Sequence, residues 1–319
     1  MHDRDHHPRG QHRWEKTPLV TTDRAVTTRR TSPPSATAAD FDRRQNGDDG
    51  LAPVSVVVPC YRCAHTIGPA VASIAAQILR PAEVLLVDDG SGDGTLQQLE
   101  AIARDFPPGW IKVIAMPRNA GPSAARNRGW NAARQPWIAF LDADDTWHPQ
   151  KLKLQLDALR NDPDIALLGH PMNVQSRTAP PPALRQPPRV RVLARHLLML
   201  RHPFPTASIM LRRDLPFRFD ETRKRAEDFL LWAQILLSGY RCAKLDQVLA
   251  SYHKPPFGAG GLSGDMHAMY TAAVDVRRSL HQMGLLGWWQ WQLVEALAWF
   301  RHVRRRALAF ARHQQNALP

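Results

Sequence analysis

The sequence predicts an α/β protein, a mostly parallel sheet flanked by helices and followed by a C-terminal helical extension. From Leu51 onward, apolar runs of strand length alternate with helical stretches across short connections, the pattern of a parallel sheet covered on both faces. The run Val54-Ser55-Val56-Val57-Val58 is β-branched and stopped by Pro59, as in a buried central strand. A second apolar run, Ile138-Ala139-Phe140-Leu141, ends abruptly in Asp142, Asp144 and Asp145. Ligands of such sheets bind at the carboxyl ends of the strands, so the last observation also marks a candidate site.

After the first strand, small residues from about His65 to Ile78 predict a helix. Glu83-Val84-Leu85-Leu86-Val87 is the second strand, closing on Asp88-Asp89-Gly90-Ser91-Gly92-Asp93-Gly94, a loop whose composition is that of a turn. A helix over Thr95 to Arg104 leads to a strand over Ile111 to Ala115. Gly121-Pro122-Ser123 opens a helix to about Arg134, and Trp137 to Leu141 is the next strand. A helix follows over Lys151 to Arg160. Repeated Pro and Arg make 171–192 a loop, since proline removes backbone donors. Arg195 to Leu200 is read as helical, Ser208 to Leu211 as a short strand, and Ala226 to Leu237 as an apolar helix with Glu227 and Asp228 in its first turn, where they complement the helix dipole.

The last fifty residues are read as mostly helical. Leu285, Trp289, Leu293, Ala296, Phe300, Val303 and Ala307 recur at spacings of three and four and form one apolar stripe, with Glu295, Arg301, His302 and Arg305 on the other side. Trp288, Trp291, Trp299 and Arg304-Arg305-Arg306 suit a helix lying in an anionic membrane interface. Packing of the stripe on the body of the protein is the competing reading. Glu295 and Arg301 argue against a spanning helix.

Composition sets the outer bounds. The 319 residues carry 44% hydrophobic side chains, enough to bury a core, and a net charge of +13, which points to an anionic partner. Residues 1–50 are rich in Arg, His, Asp, Thr and Pro and are expected to be a disordered polar arm, with His2, His6, His7 and His12 solvated. No apolar stretch follows Met1, so no secretory signal is expected. Three cysteines, two in Cys60-Tyr61-Arg62-Cys63, fit a reducing compartment and exclude a disulfide framework. A lone Cys-x-x-Cys lacks a second ligand pair for zinc.

Asp142, Asp144 and Asp145 crowd one strand end, where carboxylates repel unless a cation sits among them. A hard divalent cation bound through oxygen leaves positions open for phosphate. Asp145 and Thr146 as caps of a helix beginning near Pro149 are the alternative. Asp88 and Asp89 have a similar alternative, capping the helix that follows them.

With these loops in place, residues 54–160 resemble the nucleotide-sugar domain of a family 2 glycosyltransferase of the GT-A fold. The matching strings are Val54 to Tyr61, Val87-Asp88-Asp89-Gly90-Ser91, Asn119-Ala120-Gly121-Pro122-Ser123-Ala124-Ala125-Arg126-Asn127, and Phe140-Leu141-Asp142-Ala143-Asp144-Asp145-Thr146-Trp147, in the family's order. Glu227-Asp228-Phe229-Leu230-Leu231-Trp232 extends the likeness to about residue 253. The resemblance implies residues 51–265 as the catalytic domain, with 51–160 for the donor and 161–265 for the acceptor, and 266–319 as the helical extension.

By that resemblance, Pro59, Tyr61, Asp88 and Asp89 contact base and ribose. Arg126 and Asn127 orient the diphosphate or the Asp-x-Asp loop. Asp144 touches Mg²⁺ or Mn²⁺, and Asp142 contacts ribose or the metal. His253, offset from the family's usual position for a His, is a candidate metal ligand. Asp228 is the candidate general base, with Glu227 the alternative. Gly258-Ala259-Gly260-Gly261 resembles a flap over the donor. The implied enzyme is inverting and cytoplasmic, either free or peripheral at the inner face of a membrane; it moves a sugar from a nucleotide-sugar to a saccharide or lipid-linked acceptor, and no nucleic acid is expected as a partner. A sugar-phosphate nucleotidyltransferase, and a non-catalytic protein binding membrane or nucleic acid on a vestigial sheet, are the competing functions. The first lacks its Gly-rich loop after the opening strand, and intact Asp142, Asp144 and Asp228 speak against the second.

Overall fold

The computed structural model describes residues 50–185, 187–194, 204–253 and 266–300. The arm before residue 50, the helix expected at 195–200, the Gly258–Gly261 flap and the arginines from 301 onward lie outside them.

The main sheet is built around β1 (Ala52–Cys60), flanked by β2 (Pro81–Asp88) and β4 (Trp137–Phe140), with β3 (Ile111–Ala115) beyond β2. All three pairings are parallel. Register puts Cys60 opposite Asp88 and Val57 opposite Phe140, so the loops after β1, β2 and β4 emerge at one edge. Beyond β4 the sheet becomes mixed. Here β9 (Met210–Arg212) runs antiparallel between β4 and β6 (Ile165–Gly169); β10 (Arg241–Leu245) is parallel to β6 and antiparallel to β8 (Val190–Val192). A second sheet joins β5 (Thr146–Trp147), β11 (Ala250–Tyr252) and β7 (Met172–Val174).

Side chains of β1 alternate between two cores, as strand geometry requires. Val54, Val56 and Val58 pack with α1 (Ile67–Ala75), α2 (Thr95–Arg104) and α4 (Lys151–Asn161). Val57 faces α3 (Pro122–Ala132), α5 (Glu227–Leu237) and α6 (Met266–Gln282). Gly129 lets α3 close on β1, because a Cβ there would lie 2.4 Å from a Val57 methyl. Each fully buried Val or Ile contributes about 1.5–3 kcal/mol.

Three expectations are corrected. The stretch 171–192 is not all loop: it supplies β7 and β8, short strands at sheet edges, where proline is tolerated. Asp145 and Thr146 cap no helix; Thr146 opens β5, and α4 begins at Lys151 after Gln150 with no side-chain cap. Asp88 and Asp89 likewise do not cap α2, whose first turn is served by Asp93 accepting from the Thr95 N–H at 3.1 Å.

The C-terminal stripe is broken as well. Gly284, at φ +70°, ends α6, and the chain turns before helical residues 288–300. Leu286 and Val294 are buried and Trp291 packs beside them, whereas Trp289, Leu293 and Phe300 of the expected stripe are exposed. Glu295 was placed on the outer side; instead it pairs with Arg277 of α6 at 2.9 Å. Spacing alone identified an apolar helix but not which of its apolar arcs is seated.

Candidate active site

The loop after β4 turns sharply, with the Asp145 N–H donating to the Asp142 carbonyl at 3.1 Å. Asp142 and Asp144 are half-buried, and Asp145 is buried. From α3, Arg126 reaches across to this turn. Its Nη2 donates to Asp142 Oδ1 at 2.8 Å, and its Nη1 to Glu227 Oε1 at 3.1 Å. Burial opposes its charge, but the carboxylates of Asp142, Glu227 and Asp228 win and keep it protonated. The guanidinium lies over the Phe219 ring, 5.4 Å from its centroid. One buried cation thus ties the Asp-x-Asp turn to the first turn of α5.

That first turn begins from an unusual backbone. Ala226 has φ +57°, a left-handed conformation that costs a non-glycine residue about 1–2 kcal/mol. Strain of this kind collects where geometry is dictated by a site. Glu227 is buried, and burial first, then the neighbouring Asp228, raises its pKa, while Arg126 pulls it down. Asp228 accepts from the Thr206 hydroxyl at 3.1 Å through Oδ2 and from the Phe229 N–H at 2.7 Å through Oδ1. The carboxylate is therefore oriented as a base should be.

Strand β11 brings in a residue that the sequence did not mark. Tyr252 follows Ser251, which is paired with Thr146 of β5. Burial first, then the charges of Asp145, Asp142, Asp228 and Asp144, push its phenol far above its ordinary value. Its hydroxyl accordingly stays protonated in the field of these carboxylates. The adjacent His253 meets the Gln175 carbonyl at 2.9 Å through Nδ1 and the Thr146 hydroxyl at 2.8 Å through Nε2. A carbonyl only accepts, so in the neutral ring Nδ1 carries the proton and Nε2 presents its lone pair.

At the ends of β1 and β2 the carboxylates organise loops. Asp88 accepts from the Ser91 hydroxyl, and Ser91 in turn accepts from the Arg62 N–H at 3.0 Å. Asp89 accepts from the Ala120 and Gly121 N–H groups, each at 2.8 Å, which fixes the entry to α3. Burial raises the Asp89 pKa against those bonds. Gly90 allows the crossing, because at φ +62° a Cβ would lie 2.5 Å from the Arg118 carbonyl carbon. Pro59 is half-buried in the last turn of β1, and Tyr61 is exposed beyond it with Arg62 over its ring at 5.2 Å. Arg62, at φ +47°, is the other non-glycine residue with a left-handed backbone among the described residues.

Of the residues singled out in sequence, Arg126, Asp142, Glu227 and Asp228 are drawn together. Asn127 is not among them: its amide binds Phe219 O and Glu221 at 2.8 Å and accepts from the Phe219 N–H at 3.0 Å, clamping 219–221. Among the described residues no group of three His, Cys, Asp or Glu stands ready as a metal site. The donors nevertheless suit a hard divalent cation arriving with a diphosphate, which needs only one or two carboxylates from the protein. The thiols of Cys60 and Cys63 are buried and free; their mutual hydrogen bond raises the Cys60 pKa and lowers that of Cys63.

An eight-stranded α/β sheet with acidic loops at the ends of β2 and β4, facing a helix that opens on two carboxylates, defines a GT-A-type glycosyltransferase architecture. Residues 55–219 match the family described as Glycosyl transferase family 2, and the chain belongs to that family. It is 34% identical over 218 residues to the succinoglycan biosynthesis protein ExoO of Rhizobium meliloti, covering 64% of this chain and 62% of that one. It is 28% identical to the Escherichia coli UDP-Glc:alpha-D-GlcNAc-diphosphoundecaprenol beta-1,3-glucosyltransferase WfgD, over 59% of this chain and 71% of the relative. The match thus spans less than two thirds of the ExoO sequence. Two solved structures share the fold. TarS of S. aureus with UDP has a TM-score of 0.54 at 23% identity, covering 71% of this chain and 65% of that one. The mannosyltransferase PcManGT from Pyrobaculum calidifontis, in complex with GDP-Man and Mn²⁺, has a TM-score of 0.54 at 18% identity, covering 86% and 87%.

Proposed function

We propose that the protein is an inverting, metal-assisted glycosyltransferase moving a sugar from a nucleoside-diphosphate sugar to a hydroxyl of a saccharide or lipid-linked acceptor. The observation that carries this reading is Arg126, which ties Asp142 of the Asp-x-Asp turn to Glu227, next to Asp228. A candidate cation site and a candidate base are thereby held at one place, as a single displacement needs. Asp228 takes the acceptor hydroxyl's proton, the acceptor oxygen forms its bond to the sugar C1, and the bond from C1 to the diphosphate oxygen breaks with its electron pair leaving on the diphosphate. Attack from the face opposite the leaving group inverts the anomeric centre.

In this reading, Asp144 and Asp142 would hold Mg²⁺ or Mn²⁺, and His253, fixed by its Nδ1 bond to the Gln175 carbonyl, would serve as a further ligand by exchanging the Thr146 hydroxyl at Nε2 for the metal. The metal supplies neutralisation of charge on the departing nucleoside diphosphate. Tyr61 covers the base, and Asp88, with Pro59 beside it, faces base or ribose. Asp89 acts by positioning the loop before α3. Residues 51–160 serve the donor and 161–265 the acceptor. The bound GDP-Man and Mn²⁺ of one structural relative support the donor and metal assignments, and the diphosphoundecaprenol in the WfgD name supports a lipid-linked acceptor. Three free, buried thiols support the choice of a reducing compartment, which this reading takes to be the cytoplasm.

The test is a thermal-shift screen of UDP- and GDP-sugars with and without Mn²⁺, since a specific donor raises apparent stability by mass action. Transfer to a lipid-diphosphate saccharide is then followed with the donor so found. A protein that neither binds nor hydrolyses any of these donors does not have this function.

A further inference from the structure

Helical residues 288–300 carry two arcs of opposite character. The seated arc is held to α6: Glu295 pairs with Arg277 at 2.9 and 3.0 Å, and Trp291 stacks on His281 with centroids 4.8 Å and planes 13° apart. Val294 is buried beside them. At 3.6 residues per turn these contacts take about a third of the circumference. The remaining arc presents Trp288, Trp289, Leu293, Leu297, Trp299 and Phe300, with exposures from 41% at Leu297 to 79% at Trp289. Glu295, on the seated side, is the one charged residue between 288 and 300, and the outward polar groups there are Gln290 and Gln292. Directly after Phe300 comes Arg301-His302-Val303-Arg304-Arg305-Arg306.

Singly exposed apolar residues need no explanation, but six on one uncharged arc form a contiguous patch. Tryptophan supplies three of the six. Its ring is apolar with one polar N–H and prefers the headgroup level of a bilayer, and arginine beside it meets acidic lipid. We propose that this arc is a docking surface for an anionic bilayer, with the helix lying in the plane of the headgroups and the arginines after residue 300 on acidic lipid. Charge argues for the bilayer over a second copy of the chain as the occupant: two proteins of net charge +13 repel each other, whereas an anionic surface attracts one. Spanning is not the mode, since no helix among the described residues is long and apolar enough to cross a membrane. The inference stands apart from the glycosyl-transfer reading, because it concerns a face that contains none of the carboxylate site.

The experiment is co-sedimentation of the full chain with vesicles of phosphatidylcholine alone or mixed with phosphatidylglycerol, at low and high salt, with tryptophan emission recorded. The wild type is expected to pellet with the anionic vesicles, its emission shifting to the blue. The variant Trp289→Gln/Leu293→Gln/Phe300→Gln lowers the partition coefficient by about tenfold or more, with an unchanged melting temperature. Arg304→Glu/Arg305→Glu weakens binding to the anionic vesicles only. A wild type that stays in the supernatant with both vesicle types, or a triple variant that partitions like the wild type, overturns the proposal. So does light scattering that shows a dimer which the triple variant abolishes while lipid binding is absent, because the arc then belongs to a second copy.

Discussion

Replacing Arg126 by Met removes the cation from between Asp142 and Glu227 while keeping most of the aliphatic volume. The Arg126 side chain is 7% exposed, that of Glu227 is 11% and that of Asp142 is 32%. Leaving a buried charge without its partner costs about 3–5 kcal/mol. Asp142, a third exposed, is relieved by water and adds at most about 1 kcal/mol. Glu227 relieves itself in part by taking a proton, so the expected net loss is about 3 kcal/mol near pH 8. At about 1.5–2 °C per kcal/mol for a chain of this size, the melting temperature falls by roughly 4–6 °C.

The pH dependence has a definite sign. Burial and Asp228 already raise Glu227 against the pull of Arg126, and removing the arginine raises it further. A carboxyl whose folded pKa exceeds its unfolded value binds its proton more tightly when folded. Its penalty is absent below the unfolded value of about 4.3, grows as pH rises from there to the folded pKa, and is constant above it. The deficit of Arg126→Met is therefore larger near pH 8 than near about pH 5.5, and Arg126→Met/Glu227→Gln recovers about 2 kcal/mol of it. Urea unfolding at the two pH values measures both effects. A loss under about 1 kcal/mol near pH 8, equal losses at both pH values, or no recovery in the double variant refutes the reasoning.

Asp228→Asn should lower turnover by about 10²–10⁴ while leaving nucleotide binding intact, as removal of a general base does; full turnover in this variant removes Asp228 from the chemistry. Asp144→Ala should abolish only the Mn²⁺-dependent part of nucleotide binding, read by calorimetry with and without the metal. Gly90→Ala places a Cβ 2.5 Å from the Arg118 carbonyl carbon at φ +62° and should cost more than about 2 kcal/mol in unfolding experiments; a cost under half that shows that the two loops can part. Tyr252→Phe removes a protonated hydroxyl that lies in the field of Asp142, Asp144, Asp145 and Asp228, and loss of one net hydrogen bond to bound substrate, about 1.5 kcal/mol, predicts about a tenfold fall in kcat/KM. An unchanged kcat/KM in that variant dismisses Tyr252.

The stretch from residue 51 to 161 was legible because its information is local. Hydrophobic runs, proline stops and acidic turns placed α2 over Thr95–Arg104 and β3 over Ile111–Ala115 at their observed bounds, and β1, β2, β4, α3 and α4 to within a few residues. Beyond residue 161 the signal thinned. Strands β7, β8 and β11 have three residues each, too few for periodicity to register, and they exist through pairing with distant partners. The exposed arc of 288–300 was likewise ambiguous, because a helix apolar on more than one side shows by pattern alone only that it is apolar.

By itself, the sequence determined the class of fold, the loops gathered at one sheet edge, and the acidic residues available there, since strand patterning and turn chemistry act over a few neighbours. The tertiary structure decided how those residues are used. Arg126 meets Glu227 from 101 positions away, and Thr146 meets His253 from 107. Contacts of that span follow from sheet order and strand register, not from spacing along the chain. They convert a row of carboxylates into one cluster with a buried cation at its centre, joining Asp142 to Glu227.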